Sequence, residues 1–574
     1  MRAFVRRYES GLLVLGAVSG LAAGLVVVTM GVVAQGLHTL IFGVPLGERL
    51  SGLTALDARI ALSAPVAGGV ILGVLIFIIA RWRIRPIVDP IEANALHGGR
   101  MSGTDSVIVV IQNLISNGFG ASVGLEAGYT QLSSALASKL GITARLRRGD
   151  LRLLVGCGSA GAIAAAFNAP LTGSFYAFEL IIGSYSISSL APVVISALTA
   201  TLVARAFISS GFIIDAGSFT SVVSADYLPA LLLGVVCAAG GILLMRGVSL
   251  VEEAARRSAV PPVMRPALGG LIVGLLALTT PQVLSGGHGA LHLNLGQEVS
   301  ISILVSLFLL KSIASAVSIG AGFRGGLFFA SLFLGALLGK IYALSANLLV
   351  SSSALSETTY AIMGMSCLAV AVIGGPLTMT FLALEVTGDF SLTALTLAAV
   401  ITTSVIVRST FGYSFATWRF HLRGESIRSA HDVGWIRNLT VDKLMRVDVR
   451  TANVKTTVEA FKTTFPLGST QRVILEGDHG KYAGLVIVSE LHTDLTIDPQ
   501  CSIGDLARHK NAFLLPNMNA KQASAVFDDA ESEELAVVNN NIERKVVGLL
   551  TESHTLRRYS EELEKRRREI SGEI

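Results

Sequence analysis

Charged residues are scarce in this chain: Asp, Glu, Lys and Arg make up only 15% of its 574 residues, whereas 52% of the residues are hydrophobic. The mean hydropathy is +0.64. A composition of this kind excludes an ordinary soluble protein of this length. We therefore predict an integral membrane protein with several spans.

Cysteine is also rare. The four cysteines are widely spaced without a C-x-x-C pair, at Cys157, Cys237, Cys367 and Cys501. This spacing argues against a disulfide framework and a zinc site, so we interpret the cysteines as packing residues. No motif for a nucleophile with its base, a phosphate-binding loop or a metal cluster is present, and we predict neither an enzyme nor a required cofactor. The first apolar run, Gly11–Met30, continues to Phe42, which is too long for a cleavable signal peptide.

Arginines are concentrated in a few connections between apolar runs. By the positive-inside rule these connections face the cytoplasm, and so do both termini. We therefore expect a multi-pass protein of a bacterial inner or plasma membrane. The arginine groups are at positions 2, 6 and 7; 81, 83 and 85; 145, 147, 148 and 152; 256, 257 and 265; and 419, 423 and 428.

The apolar zone runs from about Gly11 to Trp418, but several of its pieces are too short to cross a bilayer. Leu153–Ala166, Leu171–Ile182 and Met363–Gly375 are short and interrupted by glycine. Broken helices are tolerated in hydrocarbon only where they line a cavity or are buried in protein. This pattern is typical of a transporter or a channel.

An internal repeat divides this zone into two homologous halves. Pro170–Glu179 and Pro376–Glu385 share six of ten residues, and Gly120–Gly141 corresponds more weakly to Gly320–Lys340. We expect these repeats of broken helices to be inverted, although the identities alone do not give their orientation. The glutamates that end the two matching segments are predicted to cap helices rather than to catalyse a reaction.

Glu126 is the unusual residue of the zone, because it is a carboxylate in the glycine-bracketed stretch Gly124–Gly128. An ionisable residue at bilayer depth marks an ion or proton pathway. Helix N-termini carry unpaired N–H groups, so two glycine-rich loops that each open a helix can hold an anion without lysine or arginine. The alternative is that Glu126 is only a carboxylate stabilised by the helix dipole. His288, in a Gly-Gly-His-Gly stretch, is expected to be a solvated turn residue of an external loop.

These stretches resemble those of the CLC chloride channels and exchangers. Gly124–Gln131 is similar to the G-x-E-G-P signature, Gly322–Ala330 to the second pore loop and Ala166–Leu171 to a family hallmark, and the match covers residues 10 to 420. The resemblance implies that Glu126 is the gate, which blocks an anion position when ionised and leaves when protonated. It also implies an anion path lined by the backbone amides of Leu125, Glu126, Ala127, Leu327, Phe328 and Phe329, with Gly124 and Gly128 among the anion-binding residues and the hydroxyl of Tyr413 reaching the central anion.

The chain departs from the family pattern at three places. Leu180 occupies the position of the glutamate that relays protons in the exchangers, so channel and proton-coupled exchanger both stay open. Pro86 falls at the position where a serine of the family helps to hold chloride. A proline at this position is similar to the nitrate-preferring plant members. Ala127 and Ala330 replace an expected glycine and proline.

From Leu439 onward the chain is polar and alternates strands with helices in two similar units. These units resemble a CBS-domain pair, the cytoplasmic module of many CLC proteins. Ser489–His492 and Thr551–His554 lack the aspartate that usually holds a ribose. Adenine nucleotide sensing and a ligand-free dimerisation role are therefore two open alternatives for this module. We predict an anion-transport domain at residues 1–424, a CBS pair at 425–555 and a charged helical tail at 556–574.

The sequence therefore predicts an all-α polytopic membrane protein with an α/β cytoplasmic CBS pair. We expect a homodimer in a lipid membrane that passes chloride or a related monovalent anion, and possible partners include protons but not nucleic acid. Two alternatives are a CBS-regulated magnesium channel and a membrane nucleotide sensor without transport. A magnesium pathway needs clustered acidic residues, which this apolar zone lacks, and a sensor leaves the paired loops unexplained.

Overall fold

The computed structural model describes residues 10–45, 47–82, 87–207, 222–349, 355–412, 414, 417–418, 439–493 and 496–571. The chain forms two compact units, Met1–Asp432 and Val433–Ile574. The domain boundary predicted after Gly424 lies outside the described residues and stays a prediction.

The described part of the first unit is helical. Its long helices are rich in Leu, Val, Ile, Ala and Gly and contain few charges, which allows every backbone polar group to be paired within the helix. The helices are α1 Ser10–Phe42, α2 Ala58–Trp82, α3 Pro90–Leu96, α4 Gly103–Gly118, α5 Glu126–Thr143, α6 Arg148–Phe167, α7 Pro170–Tyr176, α8 Ile187–Phe207, α9 Tyr227–Arg257, α10 Arg265–Ala277, α11 His288–Gly296, α12 Ile301–Gly320, α13 Phe328–Leu349, α14 Glu357–Ile373, α15 Pro376–Thr387 and α16 Phe390–Thr410.

Eight helices within the described ranges are long and apolar enough to cross a membrane, which supports the prediction of a multi-pass membrane protein. Large apolar side chains on these helices are exposed, for example Leu202 at 65% and Leu243 at 69%. Such exposure suits contact with lipid rather than with water.

Interrupted helices are present, but not at every predicted place. Leu153–Ala166 is not a short piece, because it lies inside the 20-residue helix α6. The glycines that suggested a break there are packing positions: a methyl group on Gly158 would lie 2.6 Å from the Ser133 carbonyl oxygen of α5. In contrast, α7 ends after seven residues and continues as one π-helical segment, Ala177–Ile182.

The two copies of the repeated segment pack against each other. Phe175 and Phe381, which occupy the same place in the repeat, stack with ring centroids 4.3 Å apart and an angle of 13° between the planes. Glu179 and Glu385 each hydrogen-bond to the first turn of the helix in the opposite half. The capping role predicted for these two glutamates is therefore confirmed.

The second unit is a small α/β unit with two sheets. In the first sheet β1 pairs in parallel with β2, and β2 pairs antiparallel with β3; in the second sheet β4 pairs antiparallel with β5. Its strands are β1 Thr451–Asn453, β2 Arg472–Glu476, β3 Tyr482–Ile487, β4 Glu534–Val538 and β5 Val546–Thr551. Its helices are α17 Val441–Leu444, α18 Val458–Thr464, α19 Val488–Thr493, α20 Ala520–Ala530 and α21 Glu552–Ser571.

Candidate functional site

Two glycine loops, one from each half of the first unit, meet in a short antiparallel bridge. The Gly124 N–H donates to the Gly326 carbonyl at 3.0 Å, and the Gly326 N–H donates to the Gly124 carbonyl at 3.3 Å. The first loop leads into α5 at Glu126 and the second into α13 at Phe328. The bridge therefore brings the N-termini of two helices together, with their unpaired N–H groups and partial positive charge.

Asn113 of α4 holds both loops at once. Its Nδ2 donates to the carbonyl oxygens of Gly124 at 3.0 Å and Arg324 at 3.1 Å. Its Oδ1 accepts from the Gly128 N–H at 3.0 Å. The neighbouring Ser116 Oγ accepts from the Arg324 N–H at 3.0 Å. These bonds pair the buried polar groups of the loops and fix their relative position.

Glu126 is buried at the point where the loops join, with 5% of its surface exposed. The backbone N–H of Phe329, in the opposite half, hydrogen-bonds to its carboxylate. Its Oε2 has no hydrogen-bond partner within the described chain. This oxygen lies against both loop glycines: a methyl group on Gly124 would overlap it, and one on Gly326 would lie 3.4 Å away. A buried oxygen with an open lone pair can accept a proton or move to make room for an anion.

A cavity of about 200 Å³ adjoins this carboxylate. Glu126 and Ala127 from the first loop and Leu327 and Phe328 from the second contribute to its wall. A cavity of this size accommodates a monovalent anion with little water. The other wall residues include Asp89, Ile91, Thr130, Gln131, Tyr176, Leu180, Arg324 and Val372.

Two wall residues bear directly on the expected chemistry. Leu180 lies in the wall, so the residue that stands where the family has a proton-relaying glutamate faces the same cavity as Glu126. Arg324 was not expected there, since helix N-termini can hold an anion without lysine or arginine. It is half-buried in the wall because Asn113 and Ser116 fix its backbone on both sides.

The other residues predicted for the anion path lie in or beside the two loops, except for two that the structure does not describe. Gly124 and Gly128 use their N–H groups in the bridge and on Asn113, so they support the loops. Leu125 packs in an apolar cluster with helix α1. Phe329 does not line the cavity, although its N–H reaches the Glu126 carboxylate. Pro86 and Tyr413 lie outside the described residues.

Asn117 also supports the first loop, since its Nδ2 donates to the Val123 carbonyl at 2.8 Å. The sequence analysis did not predict Asn113, Ser116 or Asn117, because they form no motif with the glycine loops. Their spacing of three and four residues places them on one face of α4, and all three are buried. Buried polar residues on one face of an otherwise apolar helix are the signal that could have found them.

His288 is not the solvated turn residue that the sequence suggested. It is the first residue of α11, is half-buried and stacks on the Phe329 ring with the centroids 3.4 Å apart. The preceding Gly287 adopts φ +101°, which turns the chain tightly and brings His288 against α13.

The two candidate nucleotide motifs of the second unit each follow a strand and open a helix. Ser489–His492 lies in α19 after β3, and Thr551–His554 joins β5 to α21. His492 Nε2 donates to the Phe465 carbonyl at 2.9 Å, which gives this ring a structural partner. Partial burial, together with the neighbouring Arg557 and Arg558, lowers the pKa of His554. Both arginines also pair with Glu561, at 3.8 and 2.6 Å, so the charges around the second motif are mixed.

The described residues contain no group of three or more His, Cys, Asp or Glu that could hold a metal ion. A strongly hydrated dication such as Mg²⁺ needs several oxygen ligands or ordered waters. The cavity wall instead presents two carboxylates, Asp89 and Glu126, among mainly apolar side chains and one arginine.

Comparison with known proteins agrees with this geometry. A family model described as voltage gated chloride channel matches residues 68–408, more than half of the chain. The chain belongs to this family. A ClcB-like chloride channel protein of Ralstonia nicotianae is 31% identical over 354 residues, which are 61% of this chain and 82% of that protein.

Solved structures of other CLC proteins share the fold. The crystal structure of a slow cyanobacterial Cl⁻/H⁺ antiporter superposes with a TM-score of 0.63 at 22% identity, over 72% of this chain and 97% of the other. That of a eukaryotic CLC transporter gives a TM-score of 0.60 at 17% identity, over 95% of this chain and 97% of the other. The second alignment extends into the C-terminal α/β unit of this family member.

Proposed function

We propose that this CLC-family protein moves chloride or a related monovalent anion across the membrane and that Glu126 is the gate. The observation that carries the proposal is the bridge between Gly124 and Gly326, which joins two helix N-termini beside a cavity that Glu126 lines. Membership of the voltage gated chloride channel family supports the same conclusion.

The chemistry of the site suits a monovalent anion. The first N–H groups of α5 and α13 offer partial positive charge, which attracts an anion without binding it as tightly as a buried ion pair. The ionised Glu126 carboxylate reaches across to the Phe329 N–H and competes with the anion for these donors. When Glu126 is protonated this competition weakens, and the anion can pass.

Reconstitution in liposomes tests the proposal. Chloride efflux and external pH are recorded together for the wild type, Glu126→Ala and Glu126→Gln. We expect the wild type to release chloride and to respond to pH, whereas both variants release chloride at a rate that no longer depends on pH. Glu298→Gln, a change at an exposed glutamate, is the matched control. Wild-type liposomes that release magnesium but no chloride would refute anion transport.

The same recording distinguishes a channel from an exchanger. Leu180 gives the cavity wall no carboxylate at the position where exchangers of the family have one. We therefore propose that any proton that reaches Glu126 arrives through water rather than through residue 180. Uphill proton movement driven by a chloride gradient would establish exchange, and chloride flux without it would favour a channel.

We further propose that the C-terminal unit is a CBS pair and that the chain works as a homodimer with both termini in the cytoplasm. The order of strands and helices and the register of β2 with β3 and β4 with β5 support the CBS proposal. Adenine nucleotide binding at the two motifs that follow β3 and β5 is part of this proposal. ATP should raise the melting temperature of the purified protein, and an unchanged temperature would favour the ligand-free dimerisation role.

The two halves of the first unit are proposed to be inverted repeats. Their reciprocal glutamate contacts and the stacked pair Phe175 and Phe381 support a two-fold relation between them. Cysteine accessibility from each side of the membrane, measured at matched ends of the two halves, tests this orientation.

A further inference from the structure

The short helix α3 carries titratable side chains from the surface of the first unit to the cavity. His97 directly follows the helix, and 48% of its side chain is exposed. Glu92, inside the helix, is buried. Asp89 directly precedes the helix and lies in the wall of the cavity that contains Glu126. Chains of aspartate, glutamate and histidine carry protons through membrane proteins. We call His97, Glu92 and Asp89 the acid–base row.

The members of the acid–base row are neighbours in space. His97 Nε2 lies 4.0 Å from Glu92 Oε1. Asp89 Oδ1 accepts from the Glu92 N–H at 2.8 Å, so the Asp89 side chain lies over the first turn of α3. At the inner end, Asp89 and Glu126 are both close enough to the Tyr176 hydroxyl to interact with it electrostatically. The acid–base row therefore ends in the space that the gate carboxylate occupies.

Two buried amide side chains fix the position of α3. Asn94 Nδ2 donates to the carbonyl oxygens of Arg152 in α6 at 3.1 Å and of Ile181 in the π-helical segment at 3.0 Å. Gln131 Nε2, in α5, donates at 3.0 Å to the carbonyl of the residue before Asp89. These bonds hold α3 against three neighbouring elements, so the distance from its side chains to the cavity is set by the fold.

The exposed end of the acid–base row lies beside the arginines that precede and begin α6. A methyl group on Gly98 would overlap the Arg148 guanidinium, which places that side chain against the turn that follows His97. Arg148 belongs to the arginine group at positions 145, 147, 148 and 152, which the positive-inside rule assigns to the cytoplasm. The acid–base row thus starts at the face of the membrane where this group lies.

The carboxylates of the elements that pack against α3 have different surroundings. Glu179 of the π-helical segment accepts from the first turn of α15, and Asp150 of α6 lies near Arg147. Glu126 of α5 is therefore the carboxylate of these elements to which the acid–base row leads. The charged residues of the three elements are Glu126 and Lys139 of α5, Arg148, Asp150 and Arg152 of α6, and Glu179 of the π-helical segment.

We propose that the acid–base row carries protons from this face of the membrane to Glu126. The inference rests on the proposed function, in which protonation of Glu126 opens the gate, and it names the side chains between which the water lies. The His97 imidazolium gives the proton on Nε2 to the Glu92 carboxylate and takes another proton from outside water. Glu92 passes the proton through water to the Asp89 carboxylate.

The last transfer crosses the cavity. Its volume of about 200 Å³ accommodates several water molecules, through which the Asp89 carboxylic acid gives its proton to the Glu126 carboxylate. Glu92 and Asp89 are then ionised again, and one proton has moved from the surface to the gate. Leu180, in the same wall, takes no part in this transfer.

The speed with which the chloride current follows a rapid pH drop tests the inference. Membrane patches excised from cells that express the full chain keep all copies in one orientation and expose either face. When the pH falls at the face that carries His97, Glu92→Gln and Asp89→Asn should respond at least about tenfold more slowly than the wild type, because each removes a proton carrier. The asparagine still accepts the N–H of residue 92, so Asp89→Asn keeps the helix cap.

The final current separates a proton route from a structural role. Glu92→Gln should reach the wild-type current at low pH, since Glu126 itself is unchanged, and Glu92→Asp, which keeps a carboxylate, should restore most of the speed. Glu298→Gln and His479→Gln, at exposed positions, should respond like the wild type. Wild-type speed in both Glu92→Gln and Asp89→Asn overturns the inference while the gate stands. A lower final current in Glu92→Gln without a slower response indicates a structural role and also overturns it.

Infrared difference spectra of the full chain in lipid, between pH 8 and pH 5, give a second readout that does not depend on transport. We expect a carboxylic acid C=O band that is lost in Glu92→Gln and kept in Glu298→Gln. If the wild-type current does not respond to pH from either face, the proposed gate fails, and this band alone decides whether Glu92 exchanges a proton with the surface. A spectrum that is identical in the wild type and Glu92→Gln overturns the route through Glu92.

Discussion

Glu179 and Glu385 cap helices in each other's half of the molecule. Glu179 accepts hydrogen bonds from the N–H groups of Leu377 and Thr378 at 3.0 and 2.8 Å and from Thr378 Oγ1 at 2.6 Å. Glu385 accepts from the equivalent groups of α7 at 2.7, 2.8 and 2.6 Å. Each carboxylate thus satisfies N–H groups that the first turn of a helix leaves unpaired, and it lies at the positive end of the helix dipole.

Removal of either carboxylate should destabilise the membrane unit. Glu179→Ala or Glu385→Ala leaves two backbone donors and a threonine hydroxyl without their acceptor, at a cost of about 2 kcal/mol or more. Thermal unfolding in detergent measures the loss. Glu298→Ala, at an exposed glutamate, should unfold like the wild type. Equal loss of stability in all three variants would contradict the capping role.

The loop glycines provide a matched pair of tests for the gate. A methyl group on Gly124 would overlap the Glu126 carboxylate, whereas one on Gly326 would lie 3.4 Å from Oε2, an ordinary contact. Gly124→Ala should therefore displace the carboxylate and make chloride flux insensitive to pH, as expected for Glu126→Gln. Gly326→Ala should keep the pH response of the wild type. Liposome flux between pH 5 and pH 8 checks both variants, and the same pH response in both would argue against a gate at this position.

The glycine loops around Glu126, the repeat and the alternation of strands and helices in the C-terminal unit could be predicted from the sequence, because each depends on local chemistry. Glycines around Glu126, the shared Pro-Leu-Thr helix starts and the strands β4 and β5 all carry short-range signals. Glu179 and Glu385 were assigned to capping from the repeat alone, but the exchange of caps between halves is a long-range relation that one segment does not encode.

What the sequence did not predict depends on packing between distant segments. Arg324 lines the cavity because Asn113 and Ser116 of another helix fix its backbone, and no spacing links these residues in the chain. His288 was assigned to a solvated turn from its glycine neighbours, but the tight turn at Gly287 places it against Phe329. The sequence predicted a short piece at Leu153–Ala166 within what is the continuous helix α6. The prediction failed because glycine in a membrane helix marks close packing as well as a break.

Asn113 should be needed for transport although it does not line the cavity. Asn113→Ala removes hydrogen bonds to both gate loops, so the helix N-termini lose their fixed separation. We expect chloride flux to fall about tenfold, which corresponds to about 1.4 kcal/mol. Asn113→Asp keeps the acceptor for the Gly128 N–H but loses both donated bonds, and should show whether those donations are the essential part. Flux equal to the wild type in both variants, at equal protein in the liposomes, would exclude this positioning role.

Leu180 offers the sharpest test of how protons reach the gate. It lies in the wall of the cavity that contains Glu126, so Leu180→Glu places a second carboxylate beside the same space. In the exchangers that this chain resembles, a glutamate at this position relays protons. We therefore expect the variant to gain proton movement driven by a chloride gradient. Leu180→Gln, which has the same shape but cannot carry the proton, should behave like the wild type. If Leu180→Glu folds, carries chloride and moves no more protons than Leu180→Gln, residue 180 does not decide coupling between protons and chloride.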